Sequence, residues 1–167
     1  MPAKAVYPGS FDPLTNGHLD LLKRGLALFP QVTVAVLKNP GKNALFTIDE
    51  RLAMIRQQTK HLRGVKVMAF EGLLVELVRS LGGPVVLRGM RVISDFEYEA
   101  QMALMNRKLF AGFEVVYLMP GEEYSYVSST LVKEVARLGG KTQSFVPKAI
   151  AEQIQEKLRP LTPKKCK

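Results

Sequence analysis

Residues 7–22, YPGSFDPLTNGHLDLL, join an apolar segment to an amphipathic one through a loop with two glycines, two prolines and a histidine. The apolar segment KAVY at 4–7 predicts a β-strand, and HLDLLKRGLALF at 18–29 predicts a helix. Glycines allow close backbone approach, and the unsatisfied amide groups at a helix start attract anions. The stretch therefore indicates a strand–loop–helix unit that can hold a phosphate group.

Apolar runs and amphipathic stretches alternate along the rest of the chain. Further strands are predicted at 32–37, 65–70, 85–88 and 114–119, and further helices at 47–62, 73–83, 94–110, 128–140 and 147–158. Thr47 and Glu50 have the spacing of a capping box at a helix start, and Ser94 and Glu97 repeat that spacing. Strands that are apolar on both faces and alternate with helices predict an α/β fold. The expected architecture is a Rossmann-like, doubly wound, mostly parallel five-stranded sheet with helices on both faces.

Length and composition limit the class of protein. The 167 residues suffice for a single domain, predicted at 1–160 and followed by a basic, flexible tail at 161–167. No apolar stretch approaches the ~20 residues of a membrane-spanning helix, and no signal peptide is visible, so a cytoplasmic protein without membrane contact is expected. Cys166 is the single cysteine, and with two histidines it cannot complete a zinc site within one chain. The formal charge of +9 indicates anionic partners.

Charged and hydroxyl side chains follow four of the five predicted strands. These residues are Ser10 and His18 after the first strand, Lys42 after the second, Arg88, Arg91, Asp95 and Glu99 after the fourth, and Ser128, Ser129 and Thr130 after the fifth. In a parallel sheet, ligands bind in the crevice beyond the carboxyl ends of the strands. Together these side chains indicate a site for a phosphorylated ligand at that edge.

Each of these signals also has a purely structural explanation. His18 and the three hydroxyls can serve as helix caps. Arg88 is nearly the last residue of an apolar strand, where a charge is costly without an anionic partner, and that partner is either a ligand or Asp95 or Glu99. The ligand is favoured for Arg88, whereas for Arg91 and Asp95 the two explanations are balanced.

Three motifs resemble those of a known family. The run from Thr15 to His18 matches the Thr/His-x-Gly-His signature of a nucleotidyltransferase superfamily. RGMRVISDFEYE at 88–99 and YSYVSSTLVKEVARLGG at 124–140 resemble later motifs of its bacterial phosphopantetheine adenylyltransferase family, and the likeness extends over about residues 3–158. The resemblance implies direct in-line transfer of the adenylyl group of ATP to 4'-phosphopantetheine, giving dephospho-coenzyme A and pyrophosphate in coenzyme A biosynthesis.

The resemblance also implies roles for individual residues. His18, Lys42 and Arg91 would be catalytic. ATP would be bound by Ser10, Phe11, His18, Gly89, Met90, Arg91, Glu99, Tyr124, Ser125, Tyr126, Val127, Ser128, Ser129 and Thr130. Phosphopantetheine would be bound by Ser10, Lys42, Leu74 and Arg88. Ser10, Met90 and Tyr124 stand where the family commonly has threonine, leucine and tryptophan, and these departures remove neither a charge nor a donor.

Further expectations follow from the resemblance, and two other functions compete with it. It implies Mg²⁺ held by ATP and water rather than by protein side chains, a homohexamer, and feedback inhibition by coenzyme A. One competitor is a cytidylyltransferase or nicotinate-mononucleotide adenylyltransferase of the same superfamily, against which the 88–99 motif argues. The other is a nucleic-acid-binding module, against which the interleaved acidic residues and the 8% aromatic content argue.

Overall fold

All five strands lie in one parallel sheet. The computed structural model describes residues 4–38, 44–91 and 93–159. The strands are β1 (Lys4–Gly9), β2 (Gln31–Leu37), β3 (Val65–Phe70), β4 (Val85–Gly89) and β5 (Val115–Leu118), and the helices are α1 (Asn16–Leu28), α2 (Ile48–Thr59), α3 (Leu74–Ser80), α4 (Ile93–Leu109), α5 (Ser129–Arg137) and α6 (Lys148–Leu158). The strand order β3-β2-β1-β4-β5, with only parallel pairings, confirms the predicted Rossmann-like α/β fold.

Two apolar layers cover opposite faces of the sheet, because alternate residues of a strand point to opposite sides. Val6 of β1 packs in one layer with Leu77 of α3 and with Phe113. Its neighbour Tyr7 packs in the other layer with residues of α1, α2 and α6 such as Leu22. The sheet is therefore buried on both faces, which accounts for the uninterrupted apolar strands in the sequence.

The central position of β1 determines where a ligand cleft can form. Val6 of β1 is paired with Thr33 of β2 on one side and with Val86 of β4 on the other. The strand order thus reverses at β1, and the loops that follow β1 and β4 diverge from the same edge. Ligands of open α/β sheets bind at such a switch point.

Two of the predicted helix starts have different outcomes. The Thr47 N–H donates to Glu50 Oε2 over 2.8 Å and the Glu50 N–H donates to Thr47 Oγ1 over 3.2 Å, which confirms that capping box. α4 begins at Ile93 rather than at Ser94, and the Ser94 side chain lies outside the described part of the structure, so the box expected there stays a prediction.

Some of the predicted features lie in parts of the chain that the structure does not describe. Lys42 and the predicted tail at 161–167 lie outside the described residues, and so does the end of the predicted domain at residue 160. Among the described residues, no helix has both the length and the apolarity to span a membrane.

Candidate active site

A cleft of about 660 Å³ lies beyond the carboxyl ends of β1 and β4. Its walls are the loops after β1, β3 and β4, one side of α4, and the start of α5. Of the residues predicted from the sequence, those that line it are Ser10, Phe11, His18, Leu74, Arg88, Gly89, Arg91, Glu99, Tyr124, Val127, Ser128, Ser129 and Thr130. Side chains separated by more than a hundred positions therefore meet at one edge of the sheet.

Three predicted residues do not line this cleft. The Met90 N–H donates to the Leu118 carbonyl over 3.0 Å, which extends the pairing of β4 with β5. Ser125 and Tyr126 line a separate, shallow depression, and the Tyr126 ring packs edge-on against Phe145 at a centroid distance of 6.3 Å.

His18 lies in the first turn of α1, and Thr15 orients its ring. The Thr15 backbone N–H donates to His18 Nδ1 over 3.0 Å, and the His18 N–H donates to Thr15 Oγ1 over 3.3 Å, so the two residues form a capping box. Because Nδ1 accepts a backbone hydrogen bond, the proton of the neutral ring is on Nε2. The ring thus has one N–H donor for a ligand in the cleft.

The environment of His18 keeps that ring neutral. Part of the residue reaches solvent, but protein atoms surround the imidazole, and this burial lowers the pKa of His18 to about 4. The positive charge of Arg91 contributes a smaller lowering. At neutral pH His18 is therefore a hydrogen-bond donor without a net charge.

The ring of Phe11 packs against the ring of His18. It is 1% exposed, has a φ of 46° in the left-handed region, and places its ring 5.0 Å from the His18 ring. A Cβ at Gly9 would lie 2.9 Å from Phe11 Cζ, so this approach requires glycine. The strained loop backbone and the packed ring together hold the loop at the floor of the cleft.

The carboxylate of Asp12 fixes the same loop from behind. Its two oxygens accept hydrogen bonds from the backbone N–H groups of Leu45 at 3.0 Å and Phe46 at 2.9 Å. Lys133 Nζ of α5 also donates to Asp12 Oδ2 over 2.7 Å. Burial by itself would raise the pKa of Asp12, but Lys133 and the two backbone donors outweigh it and hold the pKa below its ordinary value. One side chain thereby joins the β1–α1 loop, the segment before α2, and α5.

Arg51 ties two of these segments together a second time. This residue of α2 is 7% exposed. Its Nε donates to the Phe46 carbonyl over 3.0 Å, and its Nη1 donates to the Ser10 carbonyl over 2.9 Å. We refer to Asp12, Arg51 and Lys133 as the Asp12 cluster.

Arg88 forms the ion pair that the sequence left as an alternative. Its Nε lies 3.0 Å from Glu99 Oε2, its Nη2 also contacts the Glu99 carboxylate, and its Nη1 donates to the Pro8 carbonyl over 3.3 Å. Burial opposes the charge of Arg88, but Glu99 outweighs this effect and raises the pKa of the guanidinium. A guanidinium has five N–H donors, so the pair with Glu99 leaves donors on both Nη atoms for a ligand.

The start of α5 completes the opposite wall. Ser128 is its N-cap, because Ser128 Oγ accepts the Leu131 N–H over 3.1 Å. Ser129 Oγ donates to the Pro13 carbonyl over 2.8 Å, which attaches the helix to the β1–α1 loop. Arg91 Nη1 donates to the Val127 carbonyl over 3.1 Å. The first amide groups of a helix have no intrahelical acceptor, so this wall presents donors to an anion.

Sequence reasoning missed several residues of the cleft. The sequence patterns place Tyr7 only in a strand and Thr15 only in a motif, although both residues line the cleft and Thr15 orients His18. Met102 and Asn106 of α4 line the cleft as well. Their spacing of three and seven residues from Glu99 places all three on one helix face, which is a signal that could have identified them.

Comparison with known proteins gives consistent results. Residues 6–135 match the family model described as cytidylyltransferase-like. The chain is 51% identical to the phosphopantetheine adenylyltransferase of Syntrophus aciditrophicus (strain SB) over 92% of this chain and 93% of the relative. It is 52% identical to the enzyme of that name from Anaeromyxobacter sp. (strain K) over 95% of this chain and 96% of the relative.

A solved structure shares the fold. The bifunctional NMN adenylyltransferase/ADP ribose pyrophosphatase from Francisella tularensis superposes with a TM-score of 0.64 at 12% identity. The match covers 95% of this chain and 52% of that one.

Proposed function

This chain belongs to the phosphopantetheine adenylyltransferase family of nucleotidyltransferases, and we propose that it transfers the adenylyl group of ATP to 4'-phosphopantetheine. The products would be dephospho-coenzyme A and pyrophosphate. The observation that carries the proposal is a neutral histidine with one available N–H, at a cleft also lined by Arg88 and Arg91. Such a set of donors suits a reaction in which phosphate charge is redistributed.

The chemical step requires positioning more than acid–base chemistry. A phosphate oxygen of 4'-phosphopantetheine would attack the α-phosphorus of ATP. As this P–O bond forms, the bond from the α-phosphorus to the bridging oxygen breaks, and its electron pair leaves with pyrophosphate. The attacking phosphate is already an anion at neutral pH, so no general base and no covalent enzyme intermediate are needed.

The cleft residues would bind the two phosphate groups and stabilise the charge that develops during transfer. The Nε2–H of His18 would donate to a phosphate oxygen of ATP on which charge develops, and Arg91 would offset the charge of the triphosphate. Arg88 would hold the acceptor phosphate with the donors that Glu99 leaves available. The assignment of Lys42 to the acceptor phosphate stays a prediction, because this residue lies outside the described part of the chain.

Mg²⁺ fits the cleft as an ion that arrives with ATP. Within residues 4–38, 44–91 and 93–159, no three His, Cys, Asp or Glu side chains are grouped so that they could hold a metal ion. The cleft instead offers hydroxyls such as those of Ser10 and Thr130, and Mg²⁺ commonly keeps several waters and binds through substrate phosphates. When bound, the ion would neutralise part of the triphosphate charge.

The proposed function extends to assembly and regulation. We propose a homohexamer, which is supported by large apolar side chains of α4 on the surface of the chain: Leu104 is 66% exposed, Met105 63% and Leu109 52%. We also propose feedback inhibition by coenzyme A, because coenzyme A contains both the pantetheine and the adenylate groups of the product. A cytoplasmic location stays a prediction.

Product analysis tests the proposed reaction. The protein is incubated with ATP, Mg²⁺ and 4'-phosphopantetheine, and dephospho-coenzyme A is detected by mass alongside pyrophosphate release. Parallel reactions with CTP or with nicotinate mononucleotide test the related enzymes. The absence of dephospho-coenzyme A from folded protein would contradict the proposal, and product with nicotinate mononucleotide alone would favour the alternative.

A variant then tests the role of His18. In His18→Ala we expect kcat to fall roughly 10²- to 10³-fold, as for removal of one donor to a developing charge. The dissociation constant for ATP should change far less. Equal losses in kcat and in ATP affinity would make His18 a ground-state binding residue only.

A further inference from the structure

Tyr7 is a buried residue of the cleft to which the motifs assign no role. It lies near the carboxyl end of β1, is 5% exposed, and lines the cleft. Its ring packs edge-on against Phe11 at a centroid distance of 5.3 Å and lies 6.5 Å from the ring of His18. It therefore borders the part of the cleft that the β1–α1 loop encloses.

Packing explains the ring of Tyr7 but not its hydroxyl. Among the described residues, the hydroxyl has no hydrogen-bond partner. The hydroxyl is not among the fully buried side-chain atoms that lack a partner, so it reaches the open space of the cleft, and a phenylalanine would make the same contact with Phe11. A hydroxyl that opens onto a ligand cleft from a residue only 5% exposed points to a partner supplied by the ligand.

The surroundings of Tyr7 indicate the charge of that partner. Burial raises the pKa of the phenol above its ordinary value, and Arg88 and Arg91 oppose this only in part. The hydroxyl thus stays protonated near neutral pH and acts as a hydrogen-bond donor. The charges that act on the Tyr7 hydroxyl are those of two arginines, Arg88 and Arg91, and of one acidic residue, Asp20. Positive charge therefore predominates near the hydroxyl, which favours an anionic acceptor.

We propose that the Tyr7 hydroxyl donates a hydrogen bond to a phosphate oxygen of the bound nucleotide. The nucleotide is favoured over the acceptor phosphate because the ring neighbours of Tyr7 are Phe11 and His18 of the β1–α1 loop. Tyr7 then supplies a neutral donor beside the Nε2–H of His18. This inference rests on the proposed function and deepens it by adding a nucleotide-binding residue.

Tyr7→Phe removes the hydroxyl and keeps the ring. Dissociation constants for ATP, adenosine and 4'-phosphopantetheine are measured by calorimetry for both proteins, and thermal unfolding checks that the core is unchanged. We expect ATP to bind roughly 10-fold more weakly to the variant, the usual effect of losing a hydrogen bond to a charged group. Adenosine, which has no phosphate, should bind equally to both proteins.

The alternatives give different results. Unchanged ATP binding would overturn the proposal, and so would an equal loss for ATP and adenosine, which would assign Tyr7 to packing around the nucleoside. A loss for 4'-phosphopantetheine alone would overturn it by placing the hydroxyl on the acceptor. These measurements need no turnover, so the proposed reaction can fail in the product assay while the binding of ATP still decides the role of Tyr7.

Discussion

The Asp12 cluster and a second group, which we refer to as the cleft row, both bring polar side chains together but use them differently. The cleft row consists of His18, Arg88 and Arg91. In the Asp12 cluster, both carboxylate oxygens of Asp12 are bonded to protein donors. In the cleft row, His18 keeps an N–H and Arg88 keeps donors that protein acceptors do not use.

This difference separates the residues that build the site from those that act in it. A buried charge that is fully paired within the protein holds distant segments together, and removal of one partner leaves a costly unpaired charge. A donor left unpaired at a cleft adds little to folding and is available to a ligand. At neutral pH, substitutions in the Asp12 cluster should therefore change the free energy of unfolding, and substitutions in the cleft row should change kinetics.

The largest expected effect is on stability, in Asp12→Ala. This change leaves Lys133, whose side chain is 15% exposed, without its partner and removes the acceptor of two backbone N–H groups. We expect the free energy of unfolding to fall by about 3–5 kcal/mol, measured by urea denaturation.

Two comparisons sharpen this prediction. Glu71→Ala breaks the ion pair of Glu71 with Lys38. The two side chains are 60% and 54% exposed, so this change should lower the free energy of unfolding by at most about 1 kcal/mol. In the double variant Asp12→Ala/Lys133→Met, no unpaired charge remains, so part of the lost stability should return. Equal losses for Asp12→Ala and Glu71→Ala would show that the Asp12 cluster does not stabilise the fold.

The sequence predicted the fold more completely than the site because the two depend on contacts of different range. The capping box of Thr47 and Glu50 involves residues three apart, and the apolar strands depend on local pattern, so both could be recognised. The pairing of Asp12 with Lys133 joins residues 121 positions apart. No local rule specifies such a pair, since several lysines and acidic residues are equally available in the sequence.

Within the site, the motifs identified side chains but not their geometry. The spacing from Thr15 to His18 suggested a phosphate-binding loop, yet the tautomer of His18 follows only from the bond between the Thr15 N–H and Nδ1. For Arg88, the sequence offered Glu99 and a ligand as alternative partners. The structure shows that the pair with Glu99 leaves other donors of Arg88 available, so the two explanations are compatible.

The second prediction tests whether His18 affects stability at all. Its pKa of about 4 in the folded protein lies below the ordinary 6.5, so the unfolded chain takes up the proton first. The contribution of neutral His18 to the free energy of unfolding is therefore fully present above pH 6.5. It is lost as pH falls from 6.5 to 4, which lowers the free energy of unfolding by up to about 3 kcal/mol. Urea unfolding across this range should show a smaller decline in His18→Asn than in the unchanged protein. Parallel declines in the two proteins would contradict the lowered pKa.

The third prediction concerns Arg88→Lys, which keeps the charge but loses the planar fork. A single ammonium group cannot pair with Glu99 and also present several donors to a phosphate. We expect kcat/KM for 4'-phosphopantetheine to fall roughly 10-fold, with a change in unfolding free energy of less than about 1.5 kcal/mol. Arg79→Lys, on α3 and outside the cleft, is the matched control and should keep its kcat/KM. A large loss of stability with unchanged kinetics would show that Arg88 stabilises the fold, as the Asp12 cluster does, and does not act on the substrate.

The smallest effect is expected for Thr15→Val, at a residue that belongs to neither group. Thr15 Oγ1 caps α1 and contacts His18 Nδ1. Removal of this hydroxyl should lower the free energy of unfolding by about 1 kcal/mol and allow the His18 ring to move. As a positioning residue it should lower kcat by roughly five-fold, equivalent to about 1 kcal/mol, with little change in the KM for ATP. Thr15→Ser keeps the hydroxyl and should restore both properties. If Thr15→Val loses stability but keeps its kcat, the backbone N–H of Thr15 is sufficient to orient His18, and the hydroxyl serves α1 alone.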